Sequence, residues 1–347
     1  MTAAIYNSNW GALGGGERYS AAVAVCLEKL GYKVEIWWPR DIRDAITNRF
    51  HITLSDQVVF TNYSPQSDTL TKRLKKFRHY DLIFWVSDGS IPLSFAKKTL
   101  IHFQIPFHSP QCGTLLNKLK AQFYICVCNS NFTKQFIDPT YSIKSQVLYP
   151  PVATSLFTPA KKLNQIVSVA RFSQVLHAKR QDILIQAFEK LHKALPDWKL
   201  VLAGGSLDPD YVTLLQRKTA HLPVQITVDP DFSQVKTLLE QSKIFWSATG
   251  FAIDQTLHPE KIEHFGITVV EAMAAGCVPV VTPLGGHTET VTSVSGLFWE
   301  SEDELVNQTL ALARSPEKLR SMSNEAILWS KQFDQATFSN HLTRLIL

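Results

Sequence analysis

The sequence predicts an α/β chain built from two doubly wound parallel-sheet units. Three observations carry this. Short apolar, β-branched runs alternate with helical segments along the 347 residues, the pattern left by strand–helix–strand crossovers. Many of the runs are apolar on both faces, as a sheet covered by helices on each side requires. The alternation breaks at Pro150-Pro151 and then begins again. A length prior of about 150 residues per domain also gives two.

In the first half, 3–6 reads as a strand, followed by a glycine-rich loop and a helix over 17–30 that Gly31 closes. Further strands are expected at 32–38, 57–61, 81–87, 99–105, 123–128 and 146–148. A less apolar stretch follows the prolines. The second series then runs strand 166–170, helix 180–195, strand 199–203, helix 211–220, strand 224–228, helix 233–241, strand 244–247, helix 267–275 and strand 278–282. The last 45 or so residues are helical in pattern. The expected division is 1–152, 153–325 and a C-terminal helix over 326–347 crossing back to the first domain. Two such Rossmann-like sheets would place a ligand in the cleft between them.

Composition excludes several classes. With 45% hydrophobic and 19% charged residues the chain is ordinary globular material. It carries no apolar run near the ~18 residues of a membrane span, and its first residues lack a basic, then apolar leader. Cys26, Cys112, Cys126, Cys128 and Cys277 are odd in number and sparse, which fits reduced cysteine in a cytoplasmic protein. Cys126 and Cys128 have the wrong spacing for a zinc knuckle and are expected on opposite sides of a strand. The net charge of +5 is uneven: residues 1–155 carry +7 and the rest −2. Much of the excess sits in the basic segment 72–78, read either as a solvated helix face or as a patch for anionic lipid or an anionic acceptor. No nucleic-acid motif accompanies it.

Several segments could carry chemistry. Gly14-Gly15-Gly16 opens a helix, where backbone can pass close to an anion. Neither register of this loop satisfies G-x-G-x-x-G, and no P-loop lysine follows. Arg171 and Lys179 bracket the loop after the first strand of the second unit, where two cations could neutralise a diphosphate. Glu263 and Glu271 are eight apart. Among fourteen glutamates that spacing says little, and Glu317 and Glu325 share it on a solvated helix. Context says more, because Glu263 precedes the helix start Gly266-Ile267-Thr268 and Glu271 lies one turn inside an apolar helix. A carboxylate there needs donors, which a ribose diol would supply. His102 ends an apolar strand and is either a core residue or a sugar-hydroxyl partner. His108, His177, His258, His264 and His287 lack ligand-like spacing, so no metal site is expected.

Together these segments resemble the retaining glycosyltransferases of family four, which have the GT-B architecture. The most specific stretch is Glu263-His-Phe-Gly-Ile-Thr-Val-Val-Glu271-Ala-Met-Ala-Ala-Gly-Cys-Val-Pro-Val-Val, followed by Gly285-Gly286-His-Thr-Glu289. Gly14-Gly15-Gly16-Glu17 and Ser168-Val169-Ala170-Arg171 with Lys179 match the family's other motifs in order. Leu148-Tyr-Pro-Pro-Val152 looks like the segment that leads into its interdomain linker.

The resemblance implies these roles. Gly15 and Gly16 approach the diphosphate of a nucleotide-sugar donor. Arg171 and Lys179 bind its oxygens, Glu271 holds the ribose, and His102 lies near the sugar. Glu263 and the backbone of Phe265, Gly266, Ile267 and Thr268 hold sugar and phosphate. Lys179 is set wider from Arg171 than in many members, which makes Arg180 its substitute. The family's front-face reaction keeps the anomeric configuration and needs no metal or other cofactor, so no Asp-x-Asp motif is expected.

Gly-Gly-Gly-Glu-Arg and Glu-His-Phe-Gly-Ile are similar to segments of lipid-linked-oligosaccharide α-1,2-mannosyltransferases. That favours GDP-mannose as donor, ahead of UDP-glucose or UDP-N-acetylglucosamine, with a saccharide or lipid-linked acceptor on the first unit. Residues 72–78 with Trp37 and Trp38 allow peripheral contact at the inner membrane face. A non-transferring nucleotide-sugar binder, a hydrolase and an epimerase are the rival readings.

Overall fold

The computed structural model describes residues 1–174 and 179–347; His177 lies outside the described residues. The chain divides into two compact units, one of residues 1–151 with 335–347 and the other of 152–334.

The first unit runs β1 (Thr2–Tyr6), α1 (Gly15–Lys29), β2 (Lys33–Trp37), α2 (Arg43–Phe50), β3 (Val59–Thr61), α3 (Leu70–Phe77) and β4 (Leu82–Val86). It continues with β5 (Lys98–Phe103), α4 (Leu115–Ala121), β6 (Ile125–Cys128), α5 (Asn131–Tyr141) and β7 (Gln146–Val147). All neighbours pair in parallel, in the order β3-β2-β1-β4-β5-β6-β7. β4 is buried at all five positions. Its alternate side chains feed two cores, Leu82, Phe84 and Val86 on one face and Ile83 and Trp85 on the other. Each such side chain contributes about 1.5–3 kcal/mol on burial. Helix starts follow from their caps: Thr69, Thr114 and Ser130 each accept a backbone N–H two or three residues into α3, α4 and α5.

Two expectations change here. Cys126 and Cys128, two apart in β6, point to the same face and are both buried in one core. The strand period of two requires this, and burial pushes both thiols up to about 12. Trp37 is buried, stacked on Phe77 at 5.2 Å, and Trp38 packs against the core. Trp37 is therefore no surface anchor, whereas Trp38 is only partly covered. Of the basic segment, Lys72, Lys75 and Arg78 are exposed, while Lys76 lies 3.8 Å from the Tyr63 ring and 3.4 Å from Glu35.

The second unit runs β8 (Leu163–Val169), α6 (Gln181–His192), β9 (Lys199–Gly204), α7 (Pro209–Thr219), β10 (Val224–Val228), α8 (Phe232–Gln241) and β11 (Ser242–Ser247). It ends with α9 (Ile267–Ala274), β12 (Val278–Val281), α10 (His287–Thr290), β13 (Leu297–Phe298), α11 (Glu302–Ala313) and α12 (Pro316–Ser330). The sheet order is β10-β9-β8-β11-β12-β13, again parallel. This is the 3-2-1-4-5-6 order of a dinucleotide-type fold, whose direction of winding reverses between β8 and β11. The last helix, α13 (Gln335–Ile346), packs on α1 in the first unit, where Phe338, Leu342 and Ile346 join its core.

The chain does contain Asp-x-Asp, twice, at Asp208-Pro-Asp210 and Asp229-Pro-Asp231. Asp208 caps α7 and Asp231 caps α8, while Asp229 accepts the Ser206 N–H at 3.2 Å. Three of these carboxylates therefore accept backbone N–H groups, two of them at the start of their own helices. Among the described residues no group of three His, Cys, Asp or Glu is arranged to hold a metal ion.

Candidate active site

In the second unit the loops after β8 and β11 leave the carboxyl edge of the sheet at its switch point, where ligands bind in such folds. Arg171 stands two residues past β8, exposed, with its side chain in no ion pair among the described residues. Lys179 stands two residues before α6. Its Nζ lies 2.7 Å from Oε2 of Glu263, at the end of the loop after β11. Both side chains are largely withdrawn from water, at 15% and 21% exposure. Burial pushes the Glu263 carboxyl up, but Lys179, with His287 and His264, outweighs it and holds the group at about 2.

Arg180, the alternative to Lys179, is engaged away from Glu263. It sits at φ +51° as the N-cap of α6, and its guanidinium is taken by Asp182 at 3.1 Å and the Phe251 carbonyl at 3.4 Å.

Glu263 leads into α9 through Phe265 and Gly266. Gly266 adopts φ +95°, a conformation that favours glycine, and α9 then begins at Ile267 with Thr268 in its first turn. Phe265 is buried, edge-on to Phe333 at 5.3 Å. Against this segment lies the loop after β12. Gly286 donates its N–H to the Glu263 carbonyl at 2.7 Å, and a Cβ at 286 would stand 2.4 Å from Cα of Phe265. Two backbones thus touch with no room for a side chain between them. Glu271, on the second turn of α9, is 6% exposed.

Sequence reasoning set His287 aside for its spacing, yet it belongs to this cluster. The ring is fully buried, with Nδ1 3.1 Å from the Thr282 carbonyl. A carbonyl only accepts, so Nδ1 carries the proton and Nε2 is left as an acceptor with no partner among the described residues. Burial lowers its basicity to about 4, against the pull of Glu263. The Gly285-Gly286 pair directly before it was the available signal. Gly204 was missed too: a Cβ there would meet the Ala170 carbonyl at 1.9 Å, beside Arg171.

In the first unit, Glu17 of α1 is buried. It accepts from the Gly14 N–H at 2.8 Å and from Asn7 Nδ2 at 3.0 Å, which fixes the glycine loop from beneath. Gly15 is exposed at the helix start, and Gly16 abuts Gln104 so closely that a Cβ would lie 2.1 Å from its amide oxygen. His102, in β5, is wholly buried with its ring 3.9 Å from that of Tyr19. Neither ring nitrogen has a partner among the described residues, and burial lowers its basicity to about 3. Its place is that of a core residue, although an unsatisfied one. The structure therefore assembles Lys179, Glu263, Phe265, Gly266, Ile267, Thr268 and Glu271 within one unit, and Gly15, Gly16 and His102 within the other.

Comparison with known proteins agrees with this architecture. A human protein named GDP-Man:Man(3)GlcNAc(2)-PP-Dol alpha-1,2-mannosyltransferase is 29% identical over 242 residues, 62% of this chain. The match spans just under half of that relative's own length, 46%. A glycosyltransferase structure from Rickettsia africae superposes with a TM-score of 0.81 at 18% identity, covering 99% of this chain and 97% of that one. Anabaena HepE in complex with UDP gives 0.74 at 18% identity, covering 99% and 98%. Such neighbours show the GT-B fold. Residues 157–329 match the family model described as Glycosyl transferases group 1; with its two parallel sheets and its Glu263–Glu271 segment, the chain belongs to that family.

Proposed function

We propose that the chain is a retaining hexosyltransferase that moves mannose from GDP-mannose to a saccharide or lipid-linked acceptor, with no metal ion. The observation that carries this reading is the Lys179–Glu263 pair beside the start of α9, with Glu271 in the same helix. In this reading Arg171 and Lys179 offset the charge that grows on the departing diphosphate. Fixed cations aimed at such charge are commonly the largest catalytic contribution. Glu271 binds the ribose hydroxyls, and Glu263, kept ionised by Lys179, accepts from the sugar. The backbone at Phe265–Thr268 offers N–H groups to sugar and phosphate, and the backbone of Gly15 and Gly16 at the start of α1 approaches the diphosphate, although Gln104 fills the space where a side chain at 16 would lie. His102 enters as a sugar contact: its unpartnered ring nitrogens support this, and its full burial opposes it.

The transfer is written as a front-face substitution. The bond from the anomeric carbon to the diphosphate oxygen breaks, and the acceptor oxygen bonds to the same face of that carbon. The acceptor proton passes to the departing phosphate oxygen. The mannosyltransferase names among the relatives support mannose and GDP. The UDP in the HepE structures supports UDP-glucose as the second reading. Contact with the inner face of a membrane is supported by exposed Lys72, Lys75 and Arg78; among the described residues no helix is long and apolar enough to cross one.

The test is a transfer assay with GDP-mannose and UDP-glucose, each with and without EDTA, with the product's anomeric configuration read by NMR. An α-mannoside formed equally well in EDTA is expected. An inverted product, or activity lost in EDTA and restored by magnesium, overturns the mechanism. Free nucleoside diphosphate released with no acceptor consumed would instead identify a hydrolase or epimerase.

A further inference from the structure

Between β11 and Glu263 the second unit carries a long connection, residues 248–262, broken by a short 3-10 turn at Pro259–Lys261. Connections of this length inside compact folds are commonly functional, and this one is tied down at several points. Ile262 is fully buried. The Phe251 ring lies 5.0 Å from that of Trp299, and its carbonyl accepts from Arg180 at 3.4 Å. Asp254 Oδ1 accepts the Thr256 N–H at 2.8 Å and the Thr256 hydroxyl at 2.6 Å, while the His258 N–H closes on the Asp254 carbonyl at 2.9 Å. Gln255 stands inside that turn, half-buried.

Oε1 of Gln255 accepts the Gly285 N–H at 3.1 Å. A backbone N–H only donates, so this contact decides which end of the side chain faces it. The carbonyl oxygen is turned to Gly285 and the NH₂ group away from it. That nitrogen has two protons to donate and no acceptor among the described residues. Gly285 in turn touches the candidate site. A Cβ there would stand 2.4 Å from the Glu263 carbonyl oxygen, and Gly286 donates to the same oxygen at 2.7 Å. Gln255 is therefore one hydrogen bond and one backbone contact removed from Glu263, whose carboxylate is paired with Lys179 at 2.7 Å.

We propose that Gln255 is a specificity-determining residue for the transferred sugar, its side-chain amide donating to a hydroxyl of the hexose beside Glu263. This inference rests on the transferase function proposed above and deepens it. Holding Gly285 requires only an oxygen; the amide adds two neutral donors next to a charged acceptor. A phosphate would be met by cations, whereas a hydroxyl suits this pair, because it donates to a carboxylate and accepts from an amide at once. The ties at Phe251, Asp254 and Ile262 keep the donor in place before the sugar arrives.

The experiment is calorimetric titration of the full chain with GDP and GDP-mannose, and with UDP and UDP-glucose, alongside thermal melts. Gln255→Glu keeps an oxygen for Gly285 and removes the donors; Gln255→Met keeps the length and removes both. Each variant should bind the sugar nucleotide about threefold to tenfold more weakly, the range for one lost hydrogen bond, and the free nucleotide as the unaltered chain does. Gln255→Met alone should lower the thermal midpoint, by about 2–4 °C. Among donors each lacking a different sugar hydroxyl, one should bind the unaltered chain and Gln255→Glu alike. Unchanged sugar-nucleotide affinity in Gln255→Glu overturns the proposal and leaves Gln255 as a brace for Gly285. Equal weakening of free nucleotide and sugar nucleotide overturns it too, since the loss would then lie outside the sugar. If the unaltered chain binds none of the four ligands, the transferase reading itself falls and takes this inference with it.

Discussion

Lys179 and Glu263, 84 positions apart in sequence, meet at 2.7 Å at the entrance to α9. The contact makes Glu263 an anion in a setting whose burial would otherwise protonate it. Replacing Lys179 by Met removes that control. Turnover in Lys179→Met should fall at least a hundredfold, and the Glu263 carboxyl should rise toward and above the ordinary carboxylate range. The check is kcat with saturating donor, together with the acid limb of stability.

That acid limb follows from three groups of depressed folded pKa. Glu263, at about 2 in the fold and near 4.3 unfolded, adds stability that is complete above the unfolded value. It is lost as pH falls toward 2, by at most about 3 kcal/mol. His287 at about 4 and His102 at about 3 are buried neutral, so the unfolded chain takes up protons first as pH falls below about 6.5. Urea midpoints should therefore be level between about pH 7 and 8, decline from 6.5 downward, and decline again above about 8.5, where the unfolded chain loses thiol protons that the buried cysteines keep. In His102→Phe, which keeps the ring stack on Tyr19, the slope between pH 6 and 4 should be shallower by about one proton. An unchanged slope would mean that His102 is solvated and charged.

Arg171 is expected to matter through charge alone, since its guanidinium is exposed and makes no ion pair among the described residues. Arg171→Ala should leave the thermal midpoint nearly unchanged and lower turnover at least a hundredfold, about 2.7 kcal/mol or more of transition-state stabilisation. Near-normal turnover would remove Arg171 from the diphosphate site.

The architecture was legible because burial on both faces leaves runs such as Leu82–Val86 no alternative to a covered parallel strand. The start of α9 was legible because Gly266 and the glutamates around it lie close together in sequence. Pairings across the fold were not. Nothing local makes Lys179 rather than Arg180 the partner of Glu263. That is decided by a backbone turn at Arg180, φ +51°, and by Asp182 two residues on. His287 was invisible for the same reason, because its meaning depends on Thr282 and on the packing of Gly286 against Phe265.

Glu271 is read as a ligand group held within an apolar helix. Glu271→Ala should weaken nucleotide binding by about 1.5–3 kcal/mol, the range for hydrogen bonds to a charged group. Dissociation constants of GDP and of its 2′-deoxy analogue measure it. The deoxy analogue should bind more weakly than GDP to the unaltered chain and equally to the variant. A persistent difference in the variant would place the ribose elsewhere.

The glycines that let backbone approach backbone should differ in cost according to what they touch. At Gly286 an added Cβ meets the Phe265 backbone at 2.4 and 2.5 Å, which no rotamer change relieves. At Gly16 it meets the end of the Gln104 side chain at 2.1 Å, which can move. Gly286→Ala should therefore displace the segment before α9, weakening nucleotide binding and lowering the thermal midpoint together, with no single-residue rescue. Gly16→Ala should cost less, and adding Gln104→Ala should restore most of the lost midpoint. A thermal double-mutant cycle reads this directly: a coupling of about 1 kcal/mol or more is expected for groups in contact. Strict additivity would show that the Gln104 side chain is not what limits the residue at position 16.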